Sequence, residues 1–276
     1  MSAIDLPAFI ARIGLERVES TPRGLAALQA AHLRAIPFET VAPLLGEVPD
    51  LSPQALADKI ISCRRGGYCF ELNTLLGLAL EALGFEARRV MARVRLGAAE
   101  GGPRSHLAWI VPVEGRSLLV DAGFGGPGPL EPLDLDTPEP QTRPNGTFRA
   151  ASGPQDGERT IEMRRGTEWF ALYDFDETRV LDHDIAAANF LCARWPAMPF
   201  PDHLMANGYR GATRIGLFDR MVTRQPPDGP QQRAQIDDAE GLEALLVGEL
   251  GLGLDRTTVA RVWARIKDAP ATAGPG

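Results

Sequence analysis

The 276-residue sequence predicts an α+β protein, helical in its first third and rich in strands through its middle. Three observations carry that expectation. Up to about residue 84, apolar residues recur at helical spacing between capping residues; from about 86 to 175, β-branched and aromatic runs alternate with Gly, Pro and Asn clusters; beyond about 185 the two patterns mix. With 44% hydrophobic and 24% charged residues, the chain is able to bury a sizeable core.

Asp5 can cap a helix carrying Leu6, Phe9, Ile10 and Ile13, ended by Gly14. Thr21-Pro22 open a second, carrying Leu25, Leu28 and Leu33. Ser52-Pro53 repeat the start signal before Leu56, Ile60 and Cys63, whose i, i+4, i+7 spacing lays them on one face and predicts Cys63 in the core. From Cys69 to Leu83 runs a helix apolar on most sides, with Gly84 placed to stop it. Strands are expected at about 86–96, 106–113, 117–122 and 168–175, forming an antiparallel sheet or barrel. Between Gly123 and Gly157, Pro, Gly and acidic residues predict long loops holding no more than one short strand. Asp255 caps a last helix carrying Val259, Val262, Trp263 and Ile266, and the tail from Ala269 onward is expected to be disordered.

Several function classes are disfavoured. A net charge of -7 argues against a surface that tracks nucleic-acid phosphates. The longest apolar stretch, LLGLALEALGF, is too short for a bilayer and is interrupted by Glu81, so no membrane segment is expected. The opening MSAIDLPAFIARIG lacks a basic stretch followed by an unbroken apolar one, which points to the cytoplasm. Cys63, Cys69 and Cys192 show no CxxC spacing, so neither a disulfide framework nor a metal site is expected.

RRGGYCFELN, residues 64–73, places Cys69 at the start of a helix after two glycines. A thiol there gains acidity from the helix terminus, Gly66 and Gly67 permit a tight turn, and the free helix N–H groups suit an oxyanion hole. The competing reading is a small hydrophobe in a core. A nucleophile needs a base, and the base needs an anchor. His32 falls within a helix, while His183 and His203 lie in polar loop sequence where a solvated histidine is expected. His106 heads a strand of an expected hairpin: a two-residue turn at Glu114-Gly115 sets Asp121 opposite Ala108, making Asp121 a diagonal neighbour of His106 at roughly 7–8 Å between backbones.

RRGGYCFE, a histidine entering an apolar strand, and then VDAGFGG together resemble the arylamine N-acetyltransferase family. AHLRAIPFE at 31–39, ARVRLG at 92–97 and LYDF at 172–175 match its pattern in order, so the resemblance covers roughly residues 5–200. It implies a papain-like, three-part architecture: a helical bundle over 1–84, a β-barrel over 85–190 and a C-terminal α/β lid over 191–276. It implies Cys69 as nucleophile, His106 as base and Asp121 as its orienting carboxylate. Acetyl-CoA would be a co-substrate rather than a tightly bound cofactor, acetylating Cys69 before a small aromatic amine or hydrazine takes the acetyl group. Phe38, Val94 and Phe124 would wall the acceptor pocket, Gly125 and Gly126 would let CoA approach the backbone, and Glu39 and Arg64 would form a structural ion pair. Departures are IPFETV at 36–41, where the family commonly has IPFENL, and PFPDHLM at 199–205, which puts Asp202 where positive charge is usual. An amide synthase closing macrolactams, a Cys-His-Asp hydrolase or transglutaminase-like enzyme, and a non-catalytic binding protein are the alternatives; oligomeric state is not legible.

Overall fold

In the computed structural model, which describes residues 4–227 and 229–270, the chain opens with α1 (Leu6–Arg12) and α2 (Pro22–Ala35). Asp5 and Thr21 cap them through side-chain bonds to Ala8 and Gly24, as their spacing predicts. There follow β1 (Phe38–Glu39), α3 (Val41–Leu44) and α4 (Pro53–Leu56), which continues as a π-helical stretch over Ala57–Ser62. That widened turn rotates Cys63 off the face shared by Leu56 and Ile60: both of those are fully buried, whereas Cys63 is exposed, contrary to its predicted place in the core. α5 (Cys69–Ala82) then runs through the centre of the molecule, and Gly84 turns the chain away with φ +80°.

Eight antiparallel strands come next: β2 (Arg88–Val94), β3 (Arg104–Val113), β4 (Arg116–Val120), β5 (Leu133–Asp134), β6 (Gln141–Arg143), β7 (Gly146–Ser152), β8 (Arg159–Arg165) and β9 (Glu168–Phe175). Their spatial order is β5-β4-β3-β2-β9-β8-β7-β6. The Gln141 side chain accepts from the Asp134 N–H at 2.9 Å and donates to its carbonyl at 2.8 Å, drawing the two edges together into a nearly closed barrel. The segment 123–157 thus holds three strands where loops with one strand at most were expected. Only a few inward positions, such as Phe148 and Ala150, are apolar, so the alternation is too sparse to register.

β3 is buried on both faces. Leu107, Trp109 and Val111 pack towards the helices, while Ala108 and Ile110 face the barrel interior with Val90, Leu119 and Tyr173. After α6 (Asp182–Arg194) comes a second sheet of β10 (Met205–Arg210), β11 (Thr213–Phe218), β12 (Met221–Gln225) and β13 (Gln232–Gln235), with β1 as its first strand. One face packs Ala206, Ile215, Leu217 and Val222 against α7 (Ala239–Glu243), the π-helical turn Ala244–Glu249 and α8 (Arg256–Ile266), whose cap is the expected Asp255. The tail beyond Pro270 lies outside the described residues.

Candidate active site

Cys69 is the first residue of α5, and the loop before it is fixed from two sides. Gly66 and Gly67 do not adopt the left-handed backbone their presence suggested; they are needed for close approach. A Cβ on Gly66 would sit 2.1 Å from the Pro37 carbonyl oxygen, and Gly67 bridges Phe38, its carbonyl accepting from Glu39 N–H at 2.9 Å. The fully buried Glu39 carboxylate pairs with Arg65 at 2.5 Å rather than with Arg64. Arg64 takes left-handed backbone (φ 52°), the reversal that carries its neighbour towards Glu39. Burial pushes the Glu39 carboxyl up, but Lys59 and Arg65 outweigh it and hold the group below its ordinary range.

His106 reaches the thiol from β3. The turn at Glu114-Gly115 has positive φ at both residues (48° and 74°), a type I′ geometry, and sets Val113 opposite Arg116 as counted from the sequence. Asp121, one residue past β4, then brings Oδ2 to 2.7 Å from His106 Nε2. The remaining capacity of this buried carboxylate is filled: Tyr173 Oη donates to Oδ2 at 3.1 Å, and Asn73 Nδ2 and Gly123 N–H each donate to Oδ1 at 2.9 Å. Opposite β2, the register slips so that Ala92 faces His106 while Arg93 faces Arg104, leaving Ser105 as the extra residue of a bulge. Its carbonyl accepts from Cys69 Sγ at 3.5 Å and from Cys192 Sγ at 3.6 Å.

Cys69 and His106 lie close enough to shift each other's titration. Burial pushes the Cys69 thiol up, against the pull of the His106 hydrogen bond and charge. The helix terminus therefore does not act alone on this sulfur; its surroundings are dry, and His106 is the group that draws its proton away. For His106, burial alone lowers the pKa, yet the charge and hydrogen bond of Asp121, with Cys69, raise it to about 10. The two side chains share protons as one unit, and Asp121, itself held low by His106 and Asn73 against its burial, keeps the imidazole charged.

The thiol opens on a cleft of about 610 Å³ between barrel and second sheet, and every predicted site residue except Asp121 lines it. Phe124 packs edge-on against His106, ring centroids 5.3 Å apart, and lies 5.0 Å from Tyr173; Phe38 meets Phe200 at 6.3 Å. Val94 and the Gly125-Gly126 backbone complete the walls near the sulfur. A larger cleft of about 1170 Å³ behind α5, floored by Trp109, contains none of these residues. Among the described residues no cluster of His, Cys, Asp or Glu suits a metal ion, and no helix is long and apolar enough to cross a membrane.

The two departures in sequence touch each other. Thr40 Oγ1 donates to the His203 carbonyl at 3.1 Å and accepts the Met205 N–H at 2.9 Å, tying IPFETV to PFPDHLM. His203 is not simply solvated: its Nδ1 lies 2.7 Å from the buried Asp219 carboxylate and its ring stacks on Phe218. Asn73, Gln29 and Tyr173, which build the surroundings of Asp121, were not singled out from sequence. Asn73 lies one helical turn after Cys69, and that i, i+4 spacing was the available signal.

A family model described as N-acetyltransferase matches residues 23–259. An arylamine N-acetyltransferase / N-hydroxyarylamine O-acetyltransferase of Salmonella typhimurium is 34% identical over 238 residues, covering 85% of this chain and 84% of the relative. An arylamine N-acetyltransferase of Mycobacterium bovis is 37% identical over 250 residues, 88% of each chain. The solved structure of the Salmonella typhimurium protein superposes with a TM-score of 0.88 at 31% identity, covering 94% of this chain and 97% of that one. That of Mycobacterium marinum arylamine N-acetyltransferase in complex with CoA gives 0.87 at 31% identity, covering 95% and 99%.

Proposed function

The chain belongs to the arylamine N-acetyltransferase family, and from that premise we propose that it carries acetyl groups from acetyl-CoA to aromatic amines and hydrazines through a thioester on Cys69. The observation that carries the reading is the placing of Cys69 and His106 on a cleft with aromatic walls, with Asp121 hydrogen-bonded to His106 behind it. Transfer of the thiol proton to His106 leaves a thiolate facing an imidazolium. The thiolate attacks the acetyl carbonyl, the first N–H groups of α5 face the developing oxyanion, and CoA leaves as a thiol with the His106 proton. His106, now neutral, takes a proton from the amine as its nitrogen attacks the thioester, and Cys69 is released. Asp121 holds the imidazole in place in both steps. Phe38, Val94 and Phe124 stack on a flat acceptor and exclude water from the thioester, which favours transfer over hydrolysis. Gly125 and Gly126 leave room for the acyl-CoA arm beside the sulfur. The chemistry needs a reduced thiol, in keeping with a cytoplasmic protein.

Intact-protein mass spectrometry after exposure to acetyl-CoA, with no amine present, tests this. One acetyl group is expected, mapping to Cys69, absent from Cys69→Ala and retained in Cys63→Ala. Turnover of an arylamine should fall on the order of a thousandfold or more in Cys69→Ala. A wild-type protein that hydrolyses acetyl-CoA without passing acetyl to any amine would contradict the transferase reading.

A further inference from the structure

The second sheet shows its apolar face to the helices and a different face to the cleft. Paired positions in antiparallel strands share a face, so Phe38, Asn207, Gly216, Thr223 and Arg233 form one row across five strands. Arg214, two residues from Gly216, stands on that same face. Arg214, Arg233 and, from the barrel, Arg165 border the cleft, and among the described residues no Asp or Glu does, although the chain carries a net charge of -7.

Several arginines elsewhere in the molecule are matched by a carboxylate: Arg65 with Glu39, Arg104 with Asp176, Arg224 with Glu249. Among the described residues these three are not. Arg214 donates to the Asn207 Oδ1 at 3.1 Å, Arg233 to the Gln231 Oε1 at 3.2 Å, and Arg165 stacks its guanidinium 3.4 Å from the Phe170 ring centroid. Arg214 is the deepest. It also borders the small void behind Phe38, Phe124 and Gly125, and its pKa is lowered by burial, against the pull of Tyr209 and with Arg165 nearby adding to the lowering. A half-buried guanidinium near a second cation gains from an anion, and its planar fork fits a carboxylate or a phosphate through two N–H groups.

We propose that Arg214, backed by Arg165, is a specificity-determining residue that binds an oxyanion carried by a substrate, either a carboxylate on the aromatic acceptor or a phosphate of the acyl-CoA donor. The proposal deepens the transferase reading and rests on it. Double displacement lets the two sources be separated, because each half-reaction meets only one substrate. In the donor arm, the rate of Cys69 acetylation by acetyl-CoA is compared with that by 4-nitrophenyl acetate, which has no phosphate. In the acceptor arm, release of the acetyl group to 4-aminobenzoate is compared with release to 4-aminobenzamide. Arg214→Gln should lower the charged-to-uncharged rate ratio by about tenfold to a hundredfold in one arm, and that arm names the anion. Arg214→Lys, which keeps the charge but not the fork, should recover part of the loss. If Arg214→Gln does not fold, Arg165→Gln gives the same readout from the barrel side. Ratios within about twofold of wild type in both arms, or charged and uncharged substrates falling together, overturn the proposal. A wild type that takes no acetyl from acetyl-CoA overturns the transferase reading instead, and the two failures are distinct.

Discussion

His106 and His32 are both wholly buried, and their surroundings drive them in opposite directions. His106 is raised to about 10 by Asp121 and Cys69 against its burial, so the stability it contributes is fully present below the unfolded value near 6.5 and is lost as pH climbs through about 10. Replacing it by Gln removes the pull on the Cys69 thiol. The pH midpoint for alkylation of Cys69 should therefore move up in His106→Gln, and an unmoved midpoint would show that the imidazole does not govern the sulfur. His32 packs edge-on to Phe9, and among the described residues neither ring nitrogen has a hydrogen-bond partner. Burial, helped by the charge of Arg12, lowers its pKa to about 3. Its neutral form contributes stability present above about 6.5 and lost as pH falls towards 3. Between pH 7.5 and pH 5 that loss amounts to about 2 kcal/mol. His32→Leu should be correspondingly less acid-sensitive in urea titrations at the two pH values; an equal drop in both proteins would place the sensitivity elsewhere. The helical placement of His32 was legible, but its environment comes from Phe9 and Arg12 on a different helix, beyond the reach of local pattern.

At the scale of elements, the catalytic geometry depends on how closely the Asp121 loop lies on α5. A Cβ added to Gly123 would come 2.7 Å from Asn73 Nδ2 and 3.0 Å from the Cys69 Cα. Gly123→Ala should push the loop off the helix and loosen the grip on His106, lowering kcat/KM about a hundredfold by steady-state assay. A wild-type rate would mean that the loop tolerates the shift. The hairpin that delivers His106 and Asp121 was readable because a two-residue turn and strand alternation fix the register without outside help. The helix caps at Asp5, Thr21 and Asp255 were readable for the same local reason. Cys63 was not, since a π-helical turn changes the period on which the expectation rested. Nor was the choice between Arg64 and Arg65, which turns on one left-handed residue.

Across the whole molecule, helices, barrel and second sheet meet at one thiol, and the two sheets differed in how visible they were. β3, β4 and β9 carry apolar or aromatic runs and stood out, whereas β5, β6 and β13 are only two to four residues long and β7, β8 and β10 to β12 interleave polar residues among their apolar ones. The two-residue strand β1 is the least conspicuous element of all, with nothing in Phe38-Glu39 to announce a strand. Yet it is stitched to β10 on one side and to Gly67, two residues before Cys69, on the other. The C-terminal third is consequently no freely hinged flap: any swing of that sheet must drag on the segment that sets the sulfur, so a ligand that wedges the cleft wider at its outer rim will be felt at Cys69.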